Sequence, residues 1–359
     1  MANRRDFFKT VAGAAAGMYV AGRGASASAV QAPAARRQVS IAGRRVRVVD
    51  IHSHATVPEV DPVVQGTEWA KQAGGGRALD RERVALIDKQ GIDIQALSIN
   101  GFWWYGVKDR ALADRIVRAQ NEGLAKFVAQ FPDRFVGMAS SSPQFPDLAA
   151  QQLEDGVKRL GLRAAAIGGH VNGEDFSLPK FDPFWGKAAE LGVVAFMHPG
   201  GADNIVREGA FRGRGDLGNI IGNPLETTYF LSRLIYDGTL DKFPGLKVCG
   251  AHAGGYLPSY IMRSDVACEV RNGANCLNKR RPKEYLRSQI MADTMILSDE
   301  GLRHLVNEMG PSQIVYGTDN PLNWPVTVDL VLNASWLSNG DKETILGGNL
   351  IKLLRITSS

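Results

Sequence analysis

Long hydrophobic runs, low-complexity linkers and blocks of like charge are all missing from this 359-residue chain. The longest mildly apolar stretch, VAGAAAGMYVAG near the N-terminus, is too short to serve as a permanent membrane anchor. Strong charge asymmetry is missing too. The formal net charge is +5, and Arg4, Arg5, Lys9 and Arg23 against Asp6 place +3 of it within residues 1–29. What remains is too weak a field to argue for nucleic-acid or membrane partners. Cysteine is scarce, with three in all. Cys249, inside the apolar run LKVCGA, reads as a small core residue. Cys268 and Cys276 suit a pair in an oxidising compartment, but spacing alone does not decide it.

What is present begins with a patterned N-terminus. Arg4 and Arg5 precede an apolar pair, an apolar run and then ASASA at residues 25–29, small residues of the kind a signal peptidase cuts. This resembles a twin-arginine export signal. The expectation is a signal over 1–29, a short segment over 30–45, a single domain over 46–359, passage through the twin-arginine translocase and a periplasmic location.

From residue 40 onward, apolar strand-like runs alternate with amphipathic helix-like stretches, the pattern of parallel α/β architecture. Eight strands are expected, over 46–51, 93–99, 134–140, 162–168, 193–198, 246–252, 288–293 and 313–319. Several intervening helices end in Gly immediately before the next strand. No G-x-G-x-x-G opens a first strand-to-helix turn, so a (β/α)8 TIM barrel is expected rather than an open doubly wound sheet. Residues 200–232, long and rich in Gly, Arg and Asp, read as a substrate-covering loop.

Histidine is also scarce, six in all, yet two stand together at a strand end in VVDIHSH. Residues two apart on a strand share a side, so His52 and His54 can aim at one point. His198 in FMHPGG, His252 in GAHAGG and Asp319 in YGTDNP each close a later strand before a Gly or Pro turn. Recurrence at successive strand ends points to one metal site on the rim of the barrel. Three imidazoles and a carboxylate suit one divalent ion, zinc first, with manganese, iron or cobalt as alternatives. His170 ends the fourth strand and is a further rim candidate, whereas His304 sits in a helical pattern and reads as a solvated or packing residue.

The segments DIHSH, FMHPGG, VCGAHAGGYLPSYIMR and YGTDNP, in this order, resemble the amidohydrolase superfamily. More closely, they resemble its metal-dependent decarboxylases of the aminocarboxymuconate semialdehyde decarboxylase type. The likeness extends through DKQGIDIQALS, FPDRFVGMAS, IGGHVN, NPLETTYF and DKFPGLKVCGAH. It implies metal ligation by His52, His54, His198 and Asp319, and proton transfer by His252 with Asp319 as a second catalytic group. It also implies a homodimer in which Arg263 enters the neighbouring subunit's site and holds a substrate carboxylate. No strand-end lysine stands out as a bridge between two metals, so one ion is expected.

The pocket departs from that family. Arg77 is the nearest candidate for a second substrate-binding arginine, but its register does not match, and RGRGDLGNII replaces the aromatic residues expected before GNPLETT. Trp103, Trp104 and Tyr105 are the aromatic candidates for lining the pocket instead. The expected activity is nonoxidative decarboxylation of an aromatic or unsaturated carboxylic acid. Metal-dependent hydrolysis of a lactone, ester or amide is the alternative, and a non-catalytic periplasmic binding protein the third reading.

Overall fold

A computed structural model describes residues 36–73, 79–202, 204–271 and 273–357. The export-signal segment and Arg77 lie outside the described residues. Eight strands form one sheet in which every neighbouring pair is parallel: β1 (Val49–Ala55), β2 (Ile94–Ile99), β3 (Phe135–Ala139), β4 (Ala164–Ile167), β5 (Val194–Met197), β6 (Lys247–Gly250), β7 (Ile290–Asp293) and β8 (Ile314–Val315). Their spatial order follows the chain. The first and last strand segments then meet: Ile51 N–H donates to the Tyr316 carbonyl at 3.0 Å and His54 N–H to the Asn320 carbonyl at 2.7 Å. The expected TIM barrel is the observed fold.

Alternation produces its two apolar layers. Val49 and Ile51, Ile94 and Ala96, Ala164 and Ala166, and Val194 and Phe196 fill the interior, joined by Leu350 and Leu354 near the C-terminus. The intervening strand positions pack outward against helices such as α1 (Glu82–Gln90), α2 (Arg110–Gln130), α3 (Pro146–Lys158), α4 (Asp182–Leu191) and α5 (Asn223–Tyr236). Gly91 and Gly192 end α1 and α4 in the left-handed conformation, as the sequence pattern anticipates. No helix among the described residues is long and apolar enough to cross a membrane.

Most strands are shorter than their apolar runs. The sixth stops at Gly250, just before His252 and Ala253 turn to positive φ (54° and 59°), and the eighth stops at Val315, with Asp319 beyond it also at positive φ (58°). Non-glycine residues held there are uncommon and cluster at functional sites. The Cys268 and Cys276 side chains are joined in a disulfide, with the Cα atoms 6.0 Å apart, and Cys249 is a free, buried core thiol.

Candidate metal centre

The site is built at the C-terminal ends of the strands, and its first component depends on an irregularity. The pairing of β1 with β2 slips between Asp50 and Ser53, leaving Ile51 and His52 together opposite Ala96. Strict alternation from Val49 and Ile51 would have turned Ser53 inward; the bulge re-aims the chain so that His52 packs on the interior ring of Phe196, centroids 5.2 Å apart. Asp50 anchors this kink, accepting hydrogen bonds from His52 N–H, Gln95 and Thr318. Burial raises the Asp50 carboxyl to about 6 despite those donors.

One ligand atom from each of His52, His198, His252 and Asp319 lies within 4.8 Å of the others. His54 stands against this group, its Nε2 2.6 Å from Asp319 Oδ1 and its ring 4.6 Å from that of His198. Asp319 therefore lies among three imidazoles, with His52 Nε2 at 3.1 Å and His252 Nε2 at 3.8 Å. All five rim residues expected from the sequence meet. His170 does not join them: its Nδ1 accepts from Gly173 N–H in a hairpin turn. His304 lies exposed on α7 (Asp299–Met309).

Asp293, at the end of β7, was not among the expected site residues. Its Oδ2 lies 2.6 Å from His52 Nδ1 and accepts from His252 N–H, while its Oδ1 accepts from Ala253 and Met295 N–H. One carboxylate thus orients His52 and holds the strained turn that carries His252. The signal that would have found it is the one used for Asp319, an acidic residue closing an apolar run, here SQIMAD. Asn100, just past β2, is a second addition, with its Nδ2 2.9 Å from His54 Nδ1. Gly317 is a third: a Cβ there would stand 2.9 Å from the Cβ atoms of both His52 and Asp293, so only glycine lets β8 approach. Glu226 braces the turn after His198, accepting from the N–H groups of Gly200 and Gly201 at 2.9 and 2.7 Å.

The electrostatics favour a cation at this point. Burial alone opposes charge on His52, but Asp293 and Asp319 outweigh it and push its pKa up to about 10. Burial, followed by the neighbouring imidazoles, holds His198 well below its ordinary value and thus in the neutral form that ligates metals. Burial would raise Asp319, yet the adjacent imidazoles of His252, His52 and His54 keep it far below the usual carboxylate range. The residues also fit an ion by their unmet valences. His52 Nε2, both ring nitrogens of His198 and His252 Nδ1 are buried with no hydrogen-bond partner. Buried polar atoms are seldom left so.

The aromatic candidates separate. Trp103 lines a cavity of about 250 Å³ beside His54 and stacks on Trp69. Trp104 does not reach it: fully buried, it donates its indole N–H to the Ser141 carbonyl at 2.8 Å. Tyr105 is likewise buried, its hydroxyl facing Gly168 N–H. The three residues lie in a single 3₁₀ turn, which points successive side chains in different directions. Arg263 projects from α6 (Leu257–Val270), is exposed, and makes no ion pair with the described residues of its own chain.

Comparison with known proteins agrees with this geometry. The family model described as amidohydrolase matches residues 49–356. The chain belongs to the amidohydrolase family. It is 30% identical over 279 residues to the 2-amino-3-carboxymuconate-6-semialdehyde decarboxylase of Dictyostelium discoideum, covering 76% of this chain and 75% of that one. Among solved structures, the 5-carboxyvanillate decarboxylase of Sphingomonas paucimobilis superposes with a TM-score of 0.77 at 26% identity, over 87% of this chain and 100% of the other. A dihydroxybenzoic acid decarboxylase from Polaromonas sp. JS666, solved with bound manganese and 2-nitroresorcinol, gives 0.76 at 26% identity, over 88% and 98%. Decarboxylases thus recur among the relatives of this amidohydrolase-family chain, and a divalent metal occupies one of them.

Proposed function

We propose that the protein is a metal-dependent, nonoxidative decarboxylase of an aromatic carboxylic acid, a carbon–carbon lyase rather than a hydrolase. The observation that carries this reading is the meeting of strand-end imidazoles and a carboxylate whose buried ring nitrogens lack partners. The decarboxylases among its relatives support it. His52, His54, His198 and Asp319 hold one divalent ion, with zinc and manganese the leading candidates. Support for including His54 comes from its Nε2, which faces the Asp319 carboxylate. When bound, the ion supplies Lewis acidity toward substrate oxygens.

The chain's own residues perform the rest. Loss of CO2 leaves an electron pair on the substrate carbon, and one proton must arrive there. His252 delivers it, because it is the least buried of the clustered imidazoles, with 15% of its side chain exposed against 0% for His52 and 4% for His54. Asp319 keeps the charge of the proton-carrying cluster balanced, and Asp293 fixes the backbone that presents His252. Trp103 offers an aromatic wall to the substrate ring.

Arg263 acts in a neighbouring copy. Beside it on α6, Met262, Val266 and Val270 recur every fourth residue and are exposed, as is Tyr260. An apolar helical stripe next to an arginine that makes no ion pair among the described residues suits a homodimer in which the guanidinium grips the partner's substrate carboxylate. Export to the periplasm through the twin-arginine translocase is supported by the N-terminal sequence and by the Cys268–Cys276 disulfide.

Metal analysis tests the core of this reading. About one divalent ion per chain is expected in the wild type and none in a His52→Ala, His54→Ala double variant, with CO2 release from aromatic acids following the metal. Full metal occupancy in the double variant, or release of a new acid group without CO2, would overturn it.

A further inference from the structure

His252 is presented by a turn that no local preference favours. His252 and Ala253 stand at positive φ, and Gly254 and Gly255 follow at 72° and 65°. Such a run persists only where the surrounding structure over-determines it. Asp293 accounts for one side, accepting from His252 and Ala253 N–H. The other side rests on the first turns of α5. A Cβ on Gly250 would stand 2.9 Å from Leu231 Cδ1 and 3.1 Å from Thr227 Cγ2, and one on Gly255 would stand 2.6 Å from Thr228 Oγ1. Glycine at both ends of the turn is what lets it seat against this helix.

One polar contact closes the seat. Tyr256 N–H, four residues after His252, donates to Thr228 Oγ1 at 2.6 Å, and that hydroxyl donates in turn to the Pro224 carbonyl at 2.7 Å. The second bond is what threonine commonly makes within a helix, as Thr227 does to the Asn223 carbonyl. The first is not: it ties α5 to the backbone that carries His252. Thr228 does not line the cavity beside His54, and the turn after His198 is held separately, by Glu226. The Thr228 hydroxyl therefore bears on His252 rather than on the cavity or on the His198 turn.

Resting on the decarboxylase reading and its assignment of His252 to proton delivery, we propose that Thr228 is a positioning residue for His252: its hydroxyl fixes the far end of the turn that presents the imidazole. Valine has the same shape but not the same reach. A carbon needs about 3.5 Å of separation, where the oxygen stands 2.6 Å from the Tyr256 nitrogen. The turn must then withdraw by about 1 Å, a misplacement that costs about 100-fold in rate.

Histidine-selective 15N NMR of the zinc-loaded full-length protein reads the turn without any substrate, its signals assigned by single histidine variants. Thr228→Val is expected to shift the His252 ring signals and to leave those of His52, His54 and His198 in place. Thr228→Ser keeps the hydroxyl and is expected to restore them. Thr228→Ala also removes the acceptor and gives the same reading where valine does not fold. CO2 release from mono- and dihydroxybenzoates is followed in parallel: kcat is expected to fall about 100-fold in the valine variant, with KM and zinc content unchanged, and to recover in the serine variant. The proposal falls if the His252 signals stay in place in both acceptor-free variants, if all four histidines shift together, if serine fails to restore them, or if kcat holds while they move. A wild type that releases CO2 from none of these acids sinks the decarboxylase reading, and the NMR comparison then decides the role of Thr228 alone.

Discussion

Replacing Asp293 by asparagine changes one oxygen to an NH2 group and almost nothing in volume, yet every group around this side chain then demands an acceptor. Its two oxygens receive His252, Ala253 and Met295 N–H, and with a metal on Nε2 the His52 Nδ1 also carries its proton toward Asp293. In either orientation the asparagine NH2 confronts donors, on the His52 side or on the Ala253 side. Loss of such a partner to a ligating histidine weakens metal binding about 10- to 100-fold, which corresponds to about 1.4–2.7 kcal/mol. The orphaned buried donor adds a stability loss of about 1–3 kcal/mol that does not depend on metal. The assay is competition against a chromophoric chelator for wild type and Asp293→Asn, with urea unfolding of both metal-free proteins. Metal affinity equal to the wild type's would refute the role assigned to Asp293. A loss confined to stability would reduce it to a packing residue.

Gly317→Ala is expected to cost about 1–3 kcal/mol by overpacking and to weaken metal binding, because the added methyl meets His52 and Asp293; unchanged denaturation and chelator competition would contradict the close approach. Chelation of the wild type should abolish CO2 release and lower the melting temperature, both restored by adding back zinc or manganese. Reducing the Cys268–Cys276 bond opens a short loop whose closure contributes about 2–3 kcal/mol in the chain-entropy estimate, read from urea unfolding with and without reductant. Arg263→Ala and His52→Ala chains are each expected to be inactive alone. Mixed and re-associated, they should regain part of the activity, since one site in the mixed dimer has intact ligands and an intact incoming arginine; no recovery would place Arg263 outside the partner's site.

Much of the fold was legible because an apolar run is a local signal. Eight runs separated by helix-period segments sufficed to expect the barrel, and the polar residues closing those runs marked the rim, as with His198 and Asp319. Asp293 carries the same local signal, an acidic residue closing the run SQIMAD. Trp104 illustrates the opposite limit: it adjoins Trp103 in sequence, but the turn they share sends one to the cavity and the other into the core.

The sequence by itself determined the element types, the order of the strands and the chemistry available at their ends, because hydrophobic periodicity and residue type act within a few residues. Only the tertiary structure decided which of those groups meet. The bulge that turns His52 inward arises from pairing with β2 some forty residues on, and its partner Asp293 arrives from 241 residues away. Such contacts depend on how the barrel closes, and a local pattern carries no record of closure.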